Sequence, residues 1–134
     1  MSLSLDSWAI LAWLEGLRPA AELIEEILEG RPSVAELSLA EAQAAALRHV
    51  DKEQVASAFA LIAACCSVIP SSAQLLHEGA ACSASLGLPL TSAVALASAR
   101  SLGQRLVTGD PLLLAVAGDD EVLALTLETV EGPA

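Results

Sequence analysis

Residues 86–114 read LGLPLTSAVALASARSLGQRLVTGDPLLL. The run has four parts: a Gly87-Leu88-Pro89 turn, an amphipathic helix, a short strand ending at Val107-Thr108, and an acidic exit at Gly109-Asp110. A helix that feeds a strand with a carboxylate at its end belongs to α/β folds, where chemistry gathers at the carboxyl ends of the strands. The N-terminus repeats the arrangement. Leu3-Ser4-Leu5 leads to Asp6, and Ser7-Trp8-Ala9-Ile10-Leu11 opens a helical pattern. Two such units in one small chain can set two carboxylates side by side.

The 134 residues suit one domain, 1–134, with a modest core. Apolar residues make up 54% of the chain and aromatic ones 2%, a composition for close helix packing on small side chains rather than for a β-sandwich. A net charge of −11 repels nucleic acid at long range, so any nucleic-acid role needs a metal ion, a local basic patch or a partner to overcome the global field. Cys65, Cys66 and Cys82 have no metal-ligand spacing and read as small buried hydrophobes in a reduced, cytoplasmic protein. No basic region precedes the first apolar run, as a signal peptide would require, and the longest apolar runs are too short or too interrupted to span a bilayer.

Strands and helices alternate along the chain. Residues 3–6 form a strand, and a helix from Ser7, its expected N-cap, ends at Gly16. Pro19 opens a second helix closed by Gly30, with Glu22, Glu25, Glu26 and Glu29 on a solvated face opposite Leu23, Ile24, Ile27 and Leu28. Val34 to Leu37 has room for a second strand before Ser38 caps a third helix, with Glu41 at the capping-box position. Asp51 caps a fourth, nearly all-apolar helix, expected to be central or covered by a partner. Ser67 to Ile69 is a strand stopped by Pro70. Ser71 or Ser72 caps a fifth helix ending near Gly87, and Thr91 caps the sixth. After Asp110 come a short helix from Pro111, a loop at residues 118–120 and a last strand over Val122 to Leu127. The expected fold is a three-layer α/β/α sandwich with a short, mostly parallel sheet.

Asp6, Glu41 and Asp110 are the candidates for chemistry, each at or just after the end of an expected strand. Carboxylates that converge on one crevice repel and raise each other's pKa unless a cation joins them. A hard divalent ion such as Mg²⁺, or Mn²⁺, resolves the repulsion with oxygen ligands and retained waters, and can activate water against a phosphodiester. The plainer alternative is helix capping for Glu41 and turn formation for the two aspartates. Arg18, Arg31, Arg48, Lys52, Arg100 and Arg105 are scattered rather than gathered into an RNA track. Trp8, Trp13 and Phe59 give no stacking platform, and His49 and His77 no ligand spacing.

LDSWAILAWLEG at the N-terminus, LSLAEAQAAALR in the middle and the segment from Leu86 to Leu114 resemble, in order and spacing, the corresponding segments of PIN domains. The resemblance implies metal-dependent hydrolysis of RNA phosphodiesters by a cluster of acids. Short bacterial members are commonly VapC-like ribonuclease toxins, usually dimeric and bound by an antitoxin. By position Asp6, Glu41 and Asp110 match the acidic ligands for Mg²⁺, and Ser7 and Thr108 the supporting hydroxyls. One position departs from the pattern. Where the family's third acid sits, just inside the sixth helix, this chain has Ser92, and no Asp or Glu occurs between Gly79 and Gly109. A neutral hydroxyl is a poor Mg²⁺ ligand. The resemblance therefore implies either a ribonuclease whose metal is held weakly or the same fold with a degraded site, kept for protein association. A flavodoxin-like or response-regulator fold is a third reading, which would want a lysine where this chain has Pro111. The surplus of apolar helix surface implies a homodimer or an antitoxin partner.

Overall fold

A computed structural model describes residues 2–126. Five strands, β1 (Leu3–Leu5), β2 (Ser33–Ala35), β3 (Ser67–Ile69), β4 (Arg105–Thr108) and β5 (Val122–Ala124), form one parallel sheet in the order β3-β2-β1-β4-β5. The helices between them are α1 (Ser7–Glu15), α2 (Ala20–Glu29), α3 (Glu36–Ala46), α4 (Lys52–Cys65), α5 (Ala73–Leu86), α6 (Leu90–Leu102) and α7 (Pro111–Val116). From β1 the chain winds outward through β2 to β3 and then returns to lay β4 on the other side of β1. The strand order reverses between β1 and β4, and crevices at such reversals are where open α/β sheets bind ligands. The expected α/β architecture is the one found, and this order rules out the flavodoxin-like arrangement, in which β1 lies between β2 and β3.

Alternation along the strands separates two layers. Leu5, Val34 and Val107 face a core built with Ala9, Ile10, Ile24, Ala42, Val55, Phe59 and Ile62 of α1–α4. Leu106 faces the opposite layer with Ala93, Leu96 and Ala99 of α6 and Leu113 of α7. The abundant alanine lets α6 sink into the protein, where every residue from Ala93 to Ala99 is buried. No single helix among the described residues is long and apolar enough to cross a membrane. The α5–α6 pair reaches the length only across a 114° bend, and α6 is core.

Several helix starts differ from expectation. Asp6, not Ser7, is the N-cap of α1 and accepts from the Ala9 N–H. Pairing of Ser33 with both Ser4 and Ser67 starts β2 one residue early, so α3 begins at Glu36. Ser38 is then buried within the first turn rather than capping it, and Glu41 lies in the second turn, away from any capping box. Helix α6 starts at Leu90 with Pro89 at its N-cap, so Thr91 does not cap it. Only Val55, Phe59 and Ile62 of α4 are buried, and Leu61 is 52% exposed, so α4 lies on the outside. Asp51 and Ser72 cap as expected, Gly30 and Gly87 close their helices, and Asp110, expected as a site carboxylate or a turn residue, also caps α7. Strand β5 ends at Ala124, short of the expected end: Leu125 and Thr126 are described and lie outside the strand, and Leu127 falls outside the described residues.

Helices α5 and α6 approach closely at Gly79, where a β-carbon would stand 2.5 Å from Cγ2 and 3.2 Å from Cα of Val94. Alanine gains about 1 kcal/mol of helix propensity over glycine, but overpacking against a buried neighbour costs about 1–3 kcal/mol. Gly79→Ala is expected to lower the unfolding free energy, read as a lower urea midpoint with an unchanged slope.

Candidate acidic site at the β1/β4 crevice

Parallel pairing of Leu5 with Val107 puts the residues that follow, Asp6 and Thr108, at the same edge of the sheet. Asp6 is 4% exposed and Thr108 is fully buried. The Asp6 carboxylate accepts from the Ala9 N–H at 2.8 Å through Oδ1 and from the Thr108 hydroxyl through Oδ2. Thr108 Oγ1 in turn accepts from the Asp110 N–H at 3.0 Å, and Asp110 Oδ1 accepts from the Leu112 N–H at 3.0 Å as the cap of α7. Ser92, near the start of α6, points its hydroxyl at Asp110 Oδ2, 3.4 Å away. On the other side, the Ser7 hydroxyl donates to Glu41 Oε1 at 2.5 Å, tying α1 to α3.

Each of the three carboxylates is thus paired with one hydroxyl: Asp6 with Thr108, Glu41 with Ser7 and Asp110 with Ser92. Burial pushes the Asp6 carboxyl up to about 7. Hydrogen bonds from Thr108 and Ala9 oppose that rise, and the charges of Asp110 and Glu41 add to it. Asp110 and Glu41 thus lie near enough for their charges to act on Asp6. Among the described residues, no three Asp, Glu, His or Cys side chains stand close enough together to enclose a metal ion. The donors are nonetheless all oxygen, and a hard divalent ion needs only one or two carboxylates when waters complete its shell. The residues therefore fit such an ion in kind, through few protein contacts.

Two features of the crevice escaped the sequence. Asp6 both caps α1 and faces the site, although an Asp between a strand and a helix is as good an N-cap as the Ser that follows it. Trp8 packs against Gly109 beside the acids; a β-carbon at Gly109 would lie 2.4 Å from Cη2 and 2.5 Å from Cζ2 and Cζ3 of the indole. No pattern of spacing links residues a hundred positions apart.

The raised pKa of Asp6 fixes a sign. The unfolded chain releases this proton near 3.8, and the folded chain holds it until about 7. Asp6 thus contributes stability that is fully present below 3.8 and is lost as pH rises to about 7, on the order of 4 kcal/mol over that window. Asp6→Asn keeps an acceptor for the Ala9 N–H without the charge. It is expected to be more stable than the native protein at about pH 8, and to flatten the fall in unfolding free energy between about pH 4 and about pH 7; denaturant titrations across that range measure both.

The PIN domain family profile matches residues 4–119. No functionally curated protein is similar to the chain at a level that marks relatedness. Among solved structures, the chain is similar to a toxin–antitoxin complex from Klebsiella pneumoniae, with a TM-score of 0.74, 19% identity, and 92% of this chain and 97% of that one covered. It is similar to VapC20 of Mycobacterium tuberculosis, described as a sarcin–ricin-loop-cleaving toxin, with a TM-score of 0.72, 16% identity, and 89% and 98% covered. It is also similar to VapBC2 of Rickettsia felis bound to a promoter DNA fragment, with a TM-score of 0.70, 15% identity, and 91% and 96% covered. At these identities the likeness is one of fold. The profile spans most of the sequence, and the chain belongs to the PIN domain family.

Proposed function

We propose that the protein is a PIN-type endoribonuclease and the toxin of a toxin–antitoxin pair, hydrolysing RNA phosphodiesters with Asp6, Glu41 and Asp110 as its acids. The observation that carries the reading is the buried Asp6 carboxylate at the β1/β4 strand reversal, held by the same Thr108 side chain that accepts from the Asp110 N–H, in a chain of this family. A bound Mg²⁺ or Mn²⁺ would activate water and offset the charge that develops on the phosphate. Asp6 and Asp110 would hold it, with Glu41 reaching across from α3. Thr108 fixes Asp6 through its hydroxyl and the Asp110 backbone through its oxygen, so one side chain orients both aspartates. Ser7 orients Glu41 in the same way. Toxin–antitoxin structures among the similar folds support an antitoxin partner. Exposed Leu47, Leu61, Leu90 and Leu112 supply apolar surface for that partner or for a homodimer. Three free cysteines are in keeping with a reducing cytoplasm.

A second reading, a PIN-like interaction module with a weak or inactive site, is favoured by Ser92. Its hydroxyl occupies Asp110 Oδ2, and among the described residues no three acids enclose a cation site. One experiment separates the two. Under the first reading, the native protein binds Mn²⁺ in calorimetry and cleaves RNA, and Asp110→Asn lowers the cleavage rate at least about a hundredfold. Ser92→Asp adds a carboxylate ligand and is expected to tighten Mn²⁺ by about tenfold. Cleavage by Ser92→Asp alone would establish the second reading, and no Mn²⁺ binding by either protein would remove these acids as a metal site.

A further inference from the structure

Three consecutive residues at the start of α1 each reach a different part of the site. Asp6 receives the Thr108 hydroxyl, Ser7 donates to Glu41, and Trp8 lies against Gly109. The tripeptide Thr108-Gly109-Asp110 answers them, with Thr108 on Asp6, Gly109 on Trp8 and Asp110 hydrogen-bonded to the Thr108 oxygen. Among the described residues the glycines with positive φ are Gly16, Gly87 and Gly103, and Gly109 is not one of them. Its missing side chain is therefore not required by backbone conformation. The ring of Trp8 requires it, because the far carbons of the indole occupy the place of a β-carbon.

From this packing we infer that Trp8 is a positioning residue of the acidic site: its indole, seated on Gly109, fixes the turn that holds Asp110 at its separation from Asp6. Hydrogen bonds through Thr108 restrain the turn from the strand side, and the ring closes it from the side of α1. With the far half of the indole removed, the turn loses its packing partner and Asp110 swings about the Thr108 oxygen. A methyl at Gly109 forces the same separation from the opposite partner. The inference rests on the proposed nuclease reading only in what Asp110 is positioned for.

The test measures the hydrogen exchange of the Asp110 amide by NMR, and Mn²⁺ affinity by calorimetry, in the native protein, Trp8→Phe, Gly109→Ala and the double variant. Phenylalanine keeps an aromatic core residue but cannot reach as far as the indole, so Trp8→Phe is the variant chosen to stay folded, with circular dichroism as the check. Exchange at Asp110 is expected to rise at least about tenfold in each single variant, with Mn²⁺ affinity falling in parallel. The double variant is expected to exchange no faster than either single one, because the ring and the methyl no longer compete for one space. This non-additivity, localised to the Asp110 amide, is a signature that general loss of stability would not give. Unchanged exchange in both single variants overturns the inference, whether or not the native protein binds Mn²⁺. Faster exchange with unchanged Mn²⁺ affinity overturns the role toward the site. Faster exchange in the single variants, with no Mn²⁺ binding by the native protein, supports the positioning of Asp110 and removes the metal from the nuclease reading instead.

Discussion

The hydroxyl of Thr108 against the carboxylate of Asp6 joins residues 102 positions apart, and much of the architecture follows from making that contact possible. An isolated carboxylate in a dry interior costs several kcal/mol unless hydrogen bonds reach it. The Ala9 N–H reaches one oxygen of Asp6 locally; the other finds its donor only because β1 and β4 lie side by side in the register that pairs Leu5 with Val107. A slip of one residue would turn Thr108 to the other face of the sheet and leave that second oxygen without its donor. Parallel neighbours need a long crossover. The return from β3 to β4 is supplied by the α5–α6 pair, so the innermost contact of the site depends on two helices packed tightly at Gly79 and Val94.

That dependence explains the composition. Helix α6 must pass close under the sheet while α5 packs on its far side. Alanine at 93, 95, 97 and 99 and glycine at 79 allow both approaches. Large side chains appear where a layer needs filling, as at Leu96, Leu106 and Leu113. The shortage of aromatic residues follows from the same close spacing. One of the two tryptophans, Trp8, is placed where a glycine makes room for it.

What could be read from the sequence was what local chemistry decides. Asp51 and Ser72 each precede a helix and accept from its first free N–H groups, and Gly87 closes α5 in the left-handed conformation that glycine tolerates. The three-residue strand Ser67–Ile69 stands out because Pro70 stops it. Where tertiary pairing competed with local preference, pairing won. Ser33 entered β2 because Ser4 and Ser67 lie on either side of it, and the shift carried Ser38 and Glu41 out of their expected capping roles. Freed from the cap, Glu41 meets Ser7 instead. The contact between Trp8 and Gly109 had no local signal, since neither residue breaks the pattern of its own segment.

Ser92 brings the two functional readings down to one physical trade. Burial and the neighbouring charges of Asp110 and Glu41 already push Asp6 up to about 7, so a fourth carboxylate at position 92 would add repulsion whenever no cation is present. Serine removes that charge and offers Asp110 a hydroxyl in its place. The ion-free state then has a hydroxyl donor for each acid and less electrostatic reason to capture a cation than four carboxylates would give. The same hydroxyl competes for the Asp110 oxygen that a divalent ion would use. A site made more comfortable without metal is by the same amount a weaker holder of it. The balance between nuclease and binding module therefore depends on how far RNA phosphate oxygens can repay that competition when they join the ion's shell.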